Sequence, residues 1–220
     1  MPDFAAARDR MVEIIARRGV SDAGVLAALR STSREMFVDA ELRRHAYEDR
    51  PLRIGEGQTI SQPYVVALMI DAARLGPGDR VLEIGTGSGY AAAVMSRVAA
   101  RVYTVERHAS LAEAARRRFA EVGLENIETR VGDGTLGWPE AAPFDGILVA
   151  ASGPDFPDAL KRQLGPDGRL VMPVGPDDHR QTLSRLTRLG AEEYRIDDLG
   201  PVAFVPLIGE QGWAGAERRR

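Results

Sequence analysis

The sequence predicts an α/β fold: a central, mostly parallel sheet with helices before it and an antiparallel addition after it. Three observations predict it. From Arg80 onward, short apolar runs alternate with helical patterns, the mark of βαβ units with right-handed crossovers. Before Arg80, apolar residues recur at helical spacing in three separate segments. After Pro176, apolar and polar residues alternate, the period of half-buried antiparallel strands.

Taken in order, residues 4–18 form the first expected helix, with Phe4, Met11, Ile14 and Ile15 near one face and Gly19 as its stop. A second helix starts near Ser21 and Asp22 and runs through Val25, Leu26 and Leu29. Residues 46–62 hold three breakers and little periodicity, so a long loop is expected there. Loops of that length in a compact chain are uncommon and often functional. Pro63 suits a first helical turn, and Val66, Met69, Ile70 and Ala73 then share a stripe up to Gly76-Pro77-Gly78. Expected strands are 81–84, 101–106, 127–132, 145–150 and 168–174, with helices over 89–99, 108–122 and 156–164. Residues 182–189 and 193–199 read as a hairpin around Gly190, and 202–208 as a further strand or extended segment.

Composition narrows the function. The 220 residues are 44% apolar and 28% charged, the balance of an ordinary globular protein. A formal net charge of −3 argues against nucleic acid as partner, since that requires a basic stripe. The arginine clusters at 116–118 and 218–220 read as a solvated helix face and a frayed tail. With no cysteine, disulfides, thiolate metal sites and a cysteine nucleophile are excluded. No apolar run approaches the ~20 residues of a membrane span, and charged residues interrupt the N-terminus where a signal peptide would be apolar. A cytoplasmic protein is expected, and, for want of a long exposed apolar stripe, a monomer.

The segment RVLEIGTGSGY, Arg80–Tyr90, is the most informative stretch. An apolar run breaks into Gly85, Gly87 and Gly89 and gives way to a helix, so a strand enters a tight turn that a ligand can approach closely. The dinucleotide fingerprint has a small residue as its third glycine, but Tyr90 stands at that position here. Glu83, just before the turn, disfavours phosphate. A nicotinamide-dependent oxidoreductase is therefore disfavoured, and a ligand with a cationic or zwitterionic end, such as S-adenosylmethionine, is favoured. Open α/β sheets bind ligands at the carboxyl ends of their strands. Two more acids fall there: Glu106 after the second strand, suited to ribose hydroxyls, and Asp133 in VGDG after the third, suited to an adenine edge. Each has a plainer reading, Glu106 as a helix cap and Asp133-Gly134 as a turn. GQTISQP (57–63) places Thr59 and Ser61 beside a proline, where Ser61 could also be a helix N-cap. Ser61 lacks the hydrolase G-x-S-x-G elbow. The histidines (His45, His108, His179) sit in polar, surface-like surroundings without metal-ligand spacing, so no metal is expected.

Residues 35–63 and 80–90, with GDG (132–134), APFD (142–145), LVMPVG (170–175) and FVPL (204–207), resemble the protein-L-isoaspartate (D-aspartate) O-methyltransferase family. The resemblance runs from about Arg8 to Leu207, and GQTISQP is its most specific piece. It implies a Rossmann-like methyltransferase sheet with an altered order of its last strands. It also implies a single domain over 1–220, with helices and substrate loop at 1–78, donor-binding core at 79–176 and C-terminal strands at 177–210. Ser61 matches the family's catalytic position. Glu83, Gly85, Thr86, Gly87, Glu106, Asp133 and Gly134 match its methyl-donor site, and Thr59, Ile60 and Val205 its substrate groove. The implied reaction carries a methyl group from S-adenosylmethionine to the free α-carboxylate of L-isoaspartyl residues in damaged peptides and proteins, with D-aspartyl residues as a second candidate substrate. One departure stands out: Ser152 and Gly153 replace the alanines or proline common in that run, which keeps the residues small and the groove open. It leaves room for an enzyme that methylates ordinary aspartate in a dedicated partner. A donor-binding protein without catalysis is the other alternative.

Overall fold

The computed structural model describes residues 3–177 and 180–213; His179 and Arg218–Arg220 lie outside them. Three helices come first: α1 (Phe4–Arg17), α2 (Ala23–Ser31) and α3 (Pro63–Ala73). Asp3 and Asp22 accept the free amides of Ala6 and Val25, so α1 and α2 begin at side-chain caps. On α1 the buried stripe is Met11, Val12 and Ile15. Ile14 is 48% exposed, contrary to expectation. A step of one residue turns ~100° around a helix, which carries Ile14 off the face that meets α2 and α3. On α3, all four expected stripe residues are buried.

The segment between α2 and α3 is more ordered than its composition suggests. It holds two 3-10 turns, Arg34–Phe37 and Ala40–His45, and a two-residue antiparallel pair, β1 (Leu52–Arg53) with β2 (Thr59–Ile60). Leu52 and Ile60 oppose each other in that pair and are both buried. The expected featureless loop is thus a small hairpin seated on the core.

The main sheet follows: β3 (Arg80–Ile84), β4 (Arg101–Glu106), β5 (Ile127–Val131), β6 (Phe144–Val149), β7 (Leu164–Val174), β8 (Gln181–Arg188) and β9 (Tyr194–Val202). Their order is β5-β4-β3-β6-β7-β8-β9. The first five are mutually parallel, whereas β8 and β9 run on as antiparallel neighbours. Helices α4 (Tyr90–Met95), α5 (Ala109–Glu121) and α6 (Asp158–Arg162) fill the crossovers. The strand order reverses at β3, which pairs with both β4 and β6, so the cleft opens beyond the carboxyl end of β3. Residues 203–208 form no named strand; a bridge from Pro206 to Ser152 ties them to the sheet.

Two helices are shorter than their patterns. Helix α4 stops at Met95 instead of continuing to 99 because Asn126 donates its side-chain amide to the carbonyl of Ser96 at 2.8 Å. Helix α6 ends at Arg162 because Leu164 already pairs with Phe144 in β7, which begins four residues earlier than expected and is bulged. Among the described residues no helix is long and apolar enough to cross a membrane.

Candidate active site

The turn after β3 is built as its glycines suggest. Gly85, Gly87 and Gly89 have φ of +94°, +52° and +90°, values that side chains with a Cβ rarely adopt. Gly89 is also packed: an added Cβ would lie 2.7 Å from the Phe119 ring. Tyr90 opens α4 with its ring edge-on to Phe37 at 5.8 Å, set in the N-terminal layer.

The turn forms one wall of a cavity of about 1000 Å³, at the upper end of the range for small-ligand sites. The cavity is also lined by the loop between α2 and α3, including Thr59, Ile60 and Ser61, and by the segment 201–208, including Val205. Glu83, Gly85, Thr86, Gly87, Glu106 and Gly134 line the cavity as well. Asp133 is not among the lining residues.

The polar groups divide into those already engaged and those left free. Glu106, 4% exposed, accepts the amides of Gly87 and His108, both at 2.9 Å. It therefore fastens the glycine turn and the entry to α5 together. Its two oxygens offer about four acceptor sites, so capacity for a ligand remains. The Thr86 hydroxyl turns away to that of Thr104 at 2.6 Å, and Thr104 donates to Glu83 at 2.6 Å. Burial, reinforced by the neighbouring Glu106, pushes the Glu83 carboxyl up to about 8 despite the hydrogen bond from Thr104. Asp133 accepts from the Thr135 amide and hydroxyl and from the amide of Glu210. Partial burial raises the Asp133 pKa, but these donors outweigh it and hold the carboxyl below its ordinary value. This carboxylate braces the C-terminal segment, and Gly134 beside it is the residue that meets the cavity. Gly134 is closely fitted: a Cβ there would stand 2.3 Å from Ile84.

Ser61 does not cap α3. Asp49 does so from across the loop, accepting the amide of Tyr64 at 3.1 Å and the side chain of Gln62 at 2.8 Å. The Ser61 hydroxyl has no hydrogen-bond partner among the described residues and stays available at the cavity wall.

Several residues that sequence reasoning passed over shape this site. Arg34, fully buried, donates to the carbonyl of Ser61. Glu56 accepts from the Ser110 hydroxyl at 2.6 Å and lies 3.8 Å from His108, which pins the tip of the loop to the start of α5. His108 lines the cavity instead of lying on open surface. Nothing marks these positions in the sequence except, for Glu56, its place between two glycines. Ser152 and Gly153 lie behind the wall: their backbones bond to Val205, Leu207, Pro173 and Gly175, and neither lines the cavity. No group of three or more His, Cys, Asp or Glu able to hold a metal occurs among the described residues.

The model of the protein-L-isoaspartate (D-aspartate) O-methyltransferase family matches residues 6–212. The chain belongs to this family. Among similar proteins, a protein-L-isoaspartate O-methyltransferase of Methylorubrum extorquens is 58% identical, over 97% of this chain and 93% of its own. Its counterpart in Brucella anthropi is 52% identical, over 97% and 98%. A solved protein-L-isoaspartate O-methyltransferase superposes with a TM-score of 0.85 at 32% identity, over 93% of this chain and 67% of that one. A Plasmodium falciparum protein assigned to the same activity, in complex with S-adenosyl-L-homocysteine, superposes at 0.78 and 25% identity, over 91% and 98%. The methyltransferase family therefore accounts for the sheet and the glycine turn together.

Proposed function

We propose that Ser61 holds the acceptor carboxylate for methyl transfer in this cavity, and that Gly85–Gly87, Glu83, Glu106 and Gly134 hold the methyl donor. The chain is an S-adenosylmethionine-dependent protein-L-isoaspartate methyltransferase that initiates repair. The observation that carries the residue assignment is the unpartnered Ser61 hydroxyl in the cavity that the glycine turn also lines, free because Asp49 accepts the first-turn amide of α3.

The chemistry suits these groups. An isoaspartyl α-carboxyl with a pKa near ~3.5 is already ionised at neutral pH, so the nucleophile requires no general base. The sulfonium of the donor is its own leaving group. What remains is alignment of carboxylate oxygen, methyl carbon and sulfur, and positioning of this kind can lower a barrier by roughly 7–11 kcal/mol. Once methylated, the ester carbonyl is attacked by the neighbouring backbone amide nitrogen, which expels methanol and gives a succinimide; water then opens the ring toward normal aspartate. Thr59, Ile60 and Val205 fit the walls of a groove for an extended peptide, where backbone pairing tolerates many flanking sequences. A monomer is in keeping with the scatter of exposed large apolar side chains, Ile14, Val131, Leu189 and Ile196, over separate elements.

The deciding assay follows methyl transfer from labelled S-adenosylmethionine to matched peptides with isoaspartate or aspartate at one position. Strong preference for the isoaspartyl peptide is expected; equal or reversed preference would overturn the substrate assignment. Ser61→Ala should lower kcat by roughly ten- to a hundredfold, the cost of one hydrogen bond to a charged group, while donor affinity holds. Unchanged turnover would remove Ser61 from the reaction.

A further inference from the structure

Arg34 is the largest fully buried side chain in the described protein, and its guanidinium is placed between the two halves of the site. Nε donates to the carbonyl of Ala46 at 2.7 Å, where the substrate loop begins. Nη2 donates to the carbonyl of Ser61 at 2.8 Å, where the loop ends. The guanidinium carbon lies 4.6 Å from the centroid of the Tyr90 ring, and Tyr90 is the first residue of the helix that leaves the glycine turn. A planar fork can fix two carbonyls in one geometry while stacked on an aromatic ring, which an ammonium cannot. Burying such a charge is unfavourable unless it is well hydrogen-bonded, yet Nη1 has no partner. The charge therefore sits at a cost that ordinary core packing does not require.

We propose that Arg34 is a positioning residue for methyl transfer: through the Ser61 carbonyl it sets the Ser61 hydroxyl at a fixed distance from the glycine turn that holds the donor. The proposal rests on the reading of Ser61 as the carboxylate-holding group. Arg34 itself does not line the cavity. It joins the two ends of the loop to the first turn of α4, so that acceptor and donor are registered to a single rigid group.

The test is a double-mutant cycle between Arg34→Lys and Ser61→Ala, with kcat measured on an isoaspartyl peptide and donor affinity measured by calorimetry. In the Ser61 background, Arg34→Lys should lower kcat about tenfold, since small misplacements near reacting atoms are that costly, and should leave donor affinity within about twofold. In the Ser61→Ala background the same change should cost less than about twofold more, because coupled residues are not additive. Should melting show that the lysine variant does not fold, Arg34→Met replaces it; an apolar side chain of similar length leaves no buried charge and still packs on Tyr90. Equal losses in both backgrounds, a parallel fall in donor affinity, or unchanged kcat would each overturn the proposal. If Ser61→Ala alone leaves kcat intact, the Ser61 reading itself fails, a result distinct from equal losses on top of a normal Ser61→Ala defect.

Discussion

Replacing Glu106 with alanine is expected to weaken S-adenosylmethionine binding by about a hundredfold or more. Glu106 closes β4 at the carboxyl end of the sheet, buried beside the glycine turn. In the donor site proposed above, it is the carboxylate that would accept both ribose hydroxyls of the adenosyl group. A hydrogen bond to a charged group is worth about 1.5–3 kcal/mol, and two of them correspond to at least two decades in affinity. The structure adds a second loss. Glu106 also accepts the amides of Gly87 and His108, so alanine leaves the turn without its tie. Glu106→Gln separates the two effects. It retains one acceptor oxygen, so an intermediate loss of about tenfold is expected. Calorimetry with S-adenosylmethionine and S-adenosyl-L-homocysteine, alongside melting curves to verify the fold, measures this. Unaltered affinity in the alanine variant would place the ribose elsewhere.

The sequence disclosed what depends on neighbouring residues and concealed what depends on folding. The strands from Arg80 onward, the glycine turn and the hairpin after Pro176 follow from local periodicity, and each appears within a few residues of its expected bounds. Glu106 accepts the amide of His108 at the entry to α5 and also lines the cavity, so the plainer reading leaves room for the proposed ribose contact. The errors share one physical origin. Ile14 is apolar and on α1, but only contact with α2 and α3 decides which stripe is buried. The expected end of α4 was overridden by Asn126, thirty positions away from Ser96 in the chain. The plainer alternative for Ser61, a helix N-cap, also fails on folding: Gln62 holds the N-cap position of α3, and Asp49 accepts the amide of Tyr64 from fifteen residues away, which no local signal shows.

Asp133 and Arg34 show the same limit from opposite sides. In VGDG, Asp133 reads as a ligand-binding acid, and nothing local shows that its carboxylate also holds Thr135 and Glu210, seventy-seven residues on. Arg34 reads as one more arginine in a polar stretch and proves fully buried, with burial lowering its guanidinium to about 10. Charge in a sequence indicates the ability to form strong hydrogen bonds. Whether those bonds serve a ligand or the protein is fixed by contacts that close only in the folded chain.

Glu83 shows what such a contact does to a titration, and its expected effect on stability is the largest of all. Its side chain is 1% exposed, with the Thr104 hydroxyl bound to one oxygen. Burial first, then the charge of Glu106, raises its pKa from 4.5 to about 8, against the opposing hydrogen bond from Thr104. The folded protein thus keeps a proton between pH 4.5 and 8 that the unfolded chain has released. Stability from this group is complete below the unfolded pKa and declines as pH rises through that window. At ~1.4 kcal/mol per pKa unit, the decline is on the order of 5 kcal/mol. Chemical denaturation at intervals from pH 4.5 to 8.5 should show this slope in the native protein and lose it in Glu83→Gln, which is neutral throughout. Parallel slopes in the two proteins would show that Glu83 is ionised in the fold. A cationic donor beside the glycine turn should reverse part of the shift, because a nearby positive charge favours the carboxylate. Donor binding at pH 7 should then release a proton, seen as a binding enthalpy that varies with the ionisation enthalpy of the buffer. The same enthalpy in every buffer would mean that the cationic part of the donor lies away from Glu83.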